Sequence, residues 1–156
     1  MAKAKVNKQK NNKKQYIFAV GRRKEAVARV RLYQPSNGAV DIFGQQYQKG
    51  DVVINGKPYG VYFSYLAYKP YFKKFFDATS TLDKFLFSVK VEGGGKRGQI
   101  GAVLMGMART LDKYNRDEYR SILKKHGYLT SDARVRERRK VGMGGKARRK
   151  RQSPKR

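Results

Sequence analysis

Two runs of positive charge bracket this chain, and whatever it folds into must be built between them. Met1–Lys14 carries six lysines and no acid, while Arg134–Arg156 carries twelve basic residues against Glu137 alone. The formal net charge is +27, of which +6 and +11 lie in these ends, leaving +10 for the middle. Self-repulsion of that size opposes compaction unless a polyanion offsets it, and nucleic acid is the commonest such partner. An acidic membrane surface is the weaker alternative.

The length, 156 residues, is about one domain's worth. Hydrophobic residues make up 39% and charged residues 31%, yet 11 Tyr and 8 Phe remain for burial, so a small core with polar extensions is expected. With no cysteine, disulfides, thiol catalysis and cysteine-based zinc sites drop out, and the single histidine, His126, excludes a multi-histidine metal cluster. No apolar run approaches the ~18 residues of a membrane span. Even the aromatic stretch Val61–Phe76 is interrupted by Lys69, Pro70, Lys73 and Lys74. The N-terminal stretch lacks the apolar core of a signal peptide and reads as a basic arm.

Three parts follow: a disordered Lys-rich arm over 1–15, an α+β body over 16–132, and an extended Arg/Lys-rich tail over 133–156. In the body, Tyr16–Val20 is a strand candidate that Gly21-Arg22-Arg23-Lys24 interrupts as a basic turn. The next strand puts Ala26, Ala28, Val30 and Leu32 on one face, with Val27, Arg29, Arg31 and Tyr33 on the other. Pro35-Ser36-Asn37-Gly38 is turn chemistry, Val40–Phe43 and Val52–Ile54 are short strands, and Asn55-Gly56 closes the latter. Val61–Phe76 reads as one or two short helices broken by Pro70. Lys84–Glu92 alternates as a strand and runs into Gly93-Gly94-Gly95.

Ile100, Val103, Leu104, Met107 and Leu111 then recur at helical spacing, with Gly101, Ala102, Gly106 and Ala108 permitting close packing. A second helix, Arg116–Lys125, has Gly127 placed to end it. His126 sits at that helix end, where a capping role outweighs catalysis because no nucleophile or metal partner accompanies it. Asp112, Asp117 and Glu118 read as helix-surface charges. The expected architecture is a two-layer α+β sandwich, a sheet backed by helices.

Gly93-Gly94-Gly95-Lys96-Arg97-Gly98 formally satisfies G-x-G-x-x-G between a strand and a helix, the local context of a dinucleotide-binding turn. A second parallel strand ending in an acid should follow, but another helix and a basic tail do, so no cofactor is expected. Gln99-Ile100 also excludes a Lys-Ser or Lys-Thr phosphate loop. A helix N-terminus beside Lys96 and Arg97 still suits an RNA phosphate, with a solvated glycine turn as the plainer explanation. Arg22, Arg23 and Lys24 are adjacent cations on ordered backbone, able to fix the register of a phosphate chain. The C-terminal cations Arg134, Arg136, Arg138, Arg139, Lys140, Lys146, Arg148, Arg149, Lys150 and Arg151 are mostly arginine, whose planar fork suits structured RNA better than lysine does. Gly142-Met143-Gly144-Gly145 puts a flexible joint among them. A basic tail also fits a localisation signal or a heparin-binding patch.

Taken in order, these motifs resemble a known family. Gly93–Ala102 continuing through Gly106–Leu111 resembles the signature of the universal S-nine family of small-subunit ribosomal proteins. Gly21–Val30 is similar to its N-terminal motif, and Gly127–Arg134 with Glu137–Lys140 to its C-terminal one. The resemblance covers most of 16–156. It implies a mixed fold with a left-handed β-α-β crossover, an exception to the general rule. It further implies a non-catalytic protein in the head of the small subunit of a bacterial-like or organellar ribosome, without a small-molecule substrate. The implied partners are ribosomal RNA, bound through Arg22, Arg23, Lys24, Lys96, Arg97, Arg109 and the tail, and neighbouring head proteins. Peptidyl-site tRNA is the last implied partner, approached by Lys155 and Arg156. Where many bacterial members end Phe-Ser-Lys-Arg, this chain ends Ser153-Pro154-Lys155-Arg156, and Ala39–Gly50 looks like an insertion. The rival functions are a nucleotide-using enzyme and a general nucleic-acid chaperone working through the tails.

Overall fold

A computed structural model describes residues 16–35, 39–42, 44–136 and 138. The element order is β1 (Tyr16–Arg23), β2 (Ala26–Tyr33), β3 (Ala39–Ile42), β4 (Gln45–Gln48), β5 (Val52–Ile54), β6 (Lys57–Pro58), α1 (Tyr59–Tyr62), α2 (Lys69–Thr79), β7 (Leu86–Glu92), α3 (Lys96–Tyr114) and α4 (Arg116–Lys125), with a 3-10 turn at Leu66–Tyr68 before α2. Five strands form one mixed sheet in the order β1-β2-β7-β5-β6, and β3 and β4 make a separate hairpin. β1, β2 and β7 are antiparallel neighbours, whereas β5 runs parallel to β7 and is joined to it through β6, α1 and α2.

Alternation along the strands determines which face meets the helices. Ala26, Ala28, Val30 and Leu32 of β2 join Phe87, Val89 and Val91 of β7 in one core with Phe72, Phe75 and Phe76 of α2, the apolar stripe of α3, and Tyr119 and Leu123 of α4. Burying each of the large side chains contributes about 1.5–3 kcal/mol. Helices on one face of a sheet give the α+β layering that the alternation and helical spacing predict.

Glycines control how closely α3 approaches. A Cβ at Gly21 would lie 2.0 Å from the Ala102 carbonyl oxygen and 2.5 Å from the Gly106 nitrogen, and one at Gly106 would lie 2.4 Å from Val30 Cγ2. The helix thus rests on β1 backbone to backbone. This corrects the expectation of a turn at Gly21-Arg22-Arg23-Lys24: Gly21, Arg22 and Arg23 belong to β1, and only Lys24, with φ 53°, enters the Lys24-Glu25 turn. Gly21 is needed for proximity, not for turning.

Three other expectations change in detail. Pro70 does not break the aromatic run but stands in the first turn of α2, where its missing N–H has no partner to lose, and the helix continues to Thr79. β7 starts at Leu86, two residues later than the alternation indicates. β4 is new: its sequence, Gln45-Gln46-Tyr47-Gln48, has too little apolar character to announce a strand, and it forms by pairing with β3. The Asn55-Gly56 turn is as expected, with both residues at positive φ (49° and 77°). Asn55 also exchanges two hydrogen bonds with the backbone of Val91, 2.9 and 3.0 Å, tying the turn to β7. α4 begins with Asn115 accepting from the Glu118 N–H and ends with Gly127 and Tyr128 donating back to Lys124 and Leu123. His126 is its C-cap.

Replacing Gly21 by Ala is expected to lower stability by about 1–3 kcal/mol or more, the overpacking range, because the obstructing atoms are backbone. Gly60→Ala, where a Cβ meets nothing within 4 Å, is the control. Equal urea midpoints for the two variants would refute the backbone-contact account.

Candidate nucleic-acid interface

The glycine turn after β7 has an internal explanation. A Cβ at Gly93 would stand 2.5 Å from the Glu25 carbonyl oxygen, one at Gly94 3.1 Å from the Ala26 nitrogen, and both residues have positive φ (73° and 60°). These glycines let the β7-α3 turn press against the β1-β2 turn, which brings the two basic motifs of the sequence to one end of the sheet. Of the three glycines in the formal G-x-G-x-x-G match, Gly93 is taken up by this packing, a Cβ at Gly98 would lie 3.4 Å from the Arg23 carbonyl oxygen, and one at Gly95 would meet nothing within 4 Å.

The basic candidates divide by what they already hold, Arg109 standing farther along α3 and away from this end. Arg109 donates from Nη1 to the Val20 carbonyl at 2.7 Å, a partly buried tie between α3 and β1. Arg23 donates to the Asp132 carbonyl at 2.8 Å and pairs with the Asp132 carboxylate. Lys96 folds back: its ammonium sits 3.6 Å from the centre of the Tyr62 ring and 3.3 Å from the Tyr62 carbonyl oxygen. Tyr62 in turn donates to Gln99 Oε1 at 3.1 Å, and Gln99 Nε2 donates to the Gly93 carbonyl at 3.1 Å. Lys96 thus helps fasten α1 to the start of α3. Arg22, Lys24 and Arg97 are exposed and form no ion pair among the described residues.

Between these groups lies a groove of about 390 Å³, lined by Arg23, Lys24, Arg97 and Arg134 together with Tyr68 and Tyr71. Tyr71 is 49% exposed. The N-terminus of α3 borders it: Gly95 is the N-cap without a side-chain cap bond, and the first turn holds no acid. Cations, unpaired helix N–H groups and an exposed aromatic ring converge on one concavity, an arrangement that accepts phosphate and a flat base. Tyr68 and Tyr71 are missing from the candidates chosen by sequence. Aromatic residues in a run interleaved with Lys69, Lys73 and Lys74 were the available signal, but they read equally well as core.

Asp132 anchors the start of the C-terminal segment. Its carboxylate accepts from the Arg134 guanidinium at 2.6 Å and the Arg134 backbone N–H at 3.0 Å, and pairs with Arg23 on β1. Those bonds, led by the Arg134 side chain, hold the Asp132 carboxyl well below the usual carboxylate range. Arg136 and Arg138 are exposed beyond it. Arg139, Lys140, Lys146, Arg148, Arg149, Lys150, Arg151, Lys155 and Arg156 lie outside the described residues, as does the 1–15 arm.

Among the described residues there is no group of three or more potential metal ligands, and no helix is long and apolar enough to cross a membrane. Residues 21–156 match the family described as ribosomal protein S9/S16. Small ribosomal subunit protein uS9 of Maridesulfovibrio salexigens is 42% identical over 132 residues, covering 85% of this chain and 91% of that protein. Protein uS9c of Stigeoclonium helveticum is 42% identical over 146 residues, with the same two coverages. Protein uS9 of Thermus thermophilus is 44% identical over 125 residues, covering 80% of this chain and 87% of that protein.

Because the folded state depresses the Asp132 pKa, its stabilisation is complete above the unfolded carboxylate value near pH ~4 and is lost as pH falls through the lower folded value. Asp132→Asn is expected to lower the denaturation midpoint at neutral pH, with the gap from the parent closing in strong acid. A gap that is absent at neutral pH, or that stays constant with acidification, contradicts this.

Proposed function

The chain belongs to the ribosomal protein S9/S16 family, and from that membership we propose that it docks on small-subunit ribosomal RNA through the basic groove and sends its C-terminal tail toward peptidyl-site tRNA. The coarser part of this statement needs no proposal: it is a structural, non-enzymatic protein of the small ribosomal subunit, of bacterial or organellar type. The observation that carries the finer part is the meeting of Lys24, Arg97 and Arg134 with Tyr71 around one groove at the N-terminus of α3.

The roles differ by residue. Lys24 and Arg97 make the phosphate contacts of the groove, since these cations are exposed at its rim, while Arg22, also exposed, alternates with Gly21 and Arg23 along β1 and adds charge on the opposite face of the sheet. Arg23, Lys96 and Arg109 act chiefly by setting the shape of that edge, each being engaged with Asp132, Tyr62 or Val20. Arg134, Arg136 and Arg138 begin the line of contacts that Arg139, Lys140, Lys146, Arg148, Arg149, Lys150 and Arg151 continue over 133–156. Lys155 and Arg156 meet tRNA in the head of the subunit, where neighbouring head proteins flank the 16–132 body. The β5-to-β7 connection through α2 joins parallel strands and is the crossover to which the family's left-handed sense is assigned, that sense resting on family membership alone.

Such a partner makes binding steeply salt-dependent, with a slope near −0.7 per phosphate contacted on single strands and −0.9 on duplex. Joint replacement of Lys24 and Arg97 by Ala is expected to cut incorporation into subunits several-fold in competition with the parent protein, leaving the denaturation midpoint nearly unchanged. Parity in that competition would overturn the groove as a docking site. Deleting Lys155 and Arg156 is expected to spare assembly and weaken tRNA binding at the peptidyl site. Unaltered tRNA affinity on subunits carrying the shortened protein would remove the tail-tip assignment.

A further inference from the structure

The sheet face turned away from the helices is only half covered. Over one end lies the β3-β4 hairpin, whose Ile42, with Val40 and Tyr47, packs on Tyr33, Val53 and Leu86. Beyond that small cluster an open groove of about 780 Å³ crosses β1, β2 and β7, with Tyr47 of the hairpin as one wall and Phe18, Arg29, Arg31 and Lys90 among its lining. The strand register puts these four on the same face: Phe18 is opposite Arg31, and Arg29 is opposite Lys90.

Three features of this face call for an anion with a flat apolar part. Arg29 and Lys90 are like charges directly opposed across neighbouring strands, an unfavourable arrangement in the isolated protein. One carboxylate, Glu92, serves the pair: it meets Lys90 at 2.9 Å, and Lys90 and then Arg29 hold it below the usual carboxylate range. Phe18 is 42% exposed in the middle of a strand, a large apolar ring on a polar face. Arg31 lies 5.1 Å from the centre of the Tyr16 ring, and Lys113 reaches from α3 to donate to the Phe18 carbonyl at 2.9 Å, adding charge at the edge of β1.

We propose that this outer face is a second RNA-binding surface, on which Arg29, Arg31 and Lys90 hold the phosphates of an unpaired RNA strand and Phe18 takes one of its bases against the wall formed by the β3-β4 hairpin. The identity of the polyanion rests on the ribosomal function above, while the charge and shape are properties of this face alone. Arg29 and Arg31 are two residues apart on one strand, about 6.5 Å, a spacing that suits successive phosphates on an extended chain. An acidic peptide fits less well. It gains affinity from a sheet by pairing along an edge strand, but these cations project out of the sheet plane, where a peptide backbone would be desolvated without hydrogen-bond partners. Nucleotides need only cations and a flat apolar surface, since every base has a π-face. On this account the insertion Ala39–Gly50 builds a wall for the second surface.

The test places a photo-crosslinker, Phe18→p-benzoylphenylalanine, in the full-length protein within assembled small subunits, with Tyr71→p-benzoylphenylalanine as the companion in the first groove. The expected result is an RNA crosslink from position 18 at nucleotides distinct from those reached from position 71. A joint change of Arg29, Arg31 and Lys90 to Gln should also reduce the salt slope for binding small-subunit RNA by roughly 2, three single-strand contacts at about 0.7 each. The Arg29→Lys, Arg31→Lys variant should keep the parent slope. A crosslink from position 18 to a protein, or none while position 71 labels RNA, overturns the second surface and leaves the first intact. If neither position labels RNA, the groove assignment falls with it.

Discussion

The contact on which the rest of this structure depends is the crossing of α3 over β1 at Gly21 and Gly106. No side chain separates the two backbones there, since a Cβ on either glycine would overlap atoms of the other element or of β2. Close approach allows Arg109 and Lys113 to reach the carbonyls of Val20 and Phe18, so one helix is stitched to the outer strand by hydrogen bonds as well as by burial. It also positions the start of α3. Gly93 and Gly94 meet Glu25 and Ala26 at the same end of the sheet, so Arg97, carried by α3, and Lys24, carried by the β1-β2 turn, fall around one groove. A helix held at ordinary distance by alanines or valines would not bring those two turns into contact.

What the sequence made legible follows from how local each signal is. The spacing of Ile100, Val103, Leu104, Met107 and Leu111, and the stop at Gly127, are encoded within a few residues, and α3 and α4 stand where they were expected. Two things were hidden because they depend on distant partners. Arg23 and Asp132 are 109 residues apart, and nothing near Arg23 says that its charge is taken. Lys96 looks like a ligand-binding cation beside a glycine turn, and only the return of α1 puts Tyr62 beneath it. β4 was hidden for a related reason: Gln45–Gln48 has weak strand character of its own, and its pairing with β3 decides its state. Gly21 was noticed but given the wrong cause, since one sequence does not distinguish a glycine needed for a turn from one needed for contact.

Six of the ten acids of the body are occupied locally, which bears on how such a charged chain folds. Asp41 and Asp51 accept from backbone N–H groups of Gly44 and Gln48, Glu118 serves the cap of α4, and Asp112 holds Arg120 at 3.1 Å between α3 and α4. Asp132 holds both Arg23 and Arg134, and Glu92 meets Lys90. Most of these pairs are exposed, and such pairs contribute little to stability, a median of about 0–1 kcal/mol. Their value is geometric: they close turns, cap helices and tie the beginning of the C-terminal segment to β1.

Cohesion and recognition therefore rest on different residues. The core joins apolar faces through α3, α2 and β7, and no charged side chain takes part in it. The body's acids are too few to neutralise its surface, and part of the excess charge lies around the groove at the N-terminus of α3 and on the outer face of β1, β2 and β7. On the outer face Arg29, Arg31 and Lys90 stand on paired strands, where fixed spacing keeps the cost of ordering each contact low. The Arg134–Arg156 segment supplies more charge with one acid among it, and Asp132 sets where that segment leaves the body. On the proposed docking, a folded body that sets the register of its cations, followed in sequence by the Arg134–Arg156 charges, makes affinity grow with the number of phosphates met while the body determines where the first of them must lie.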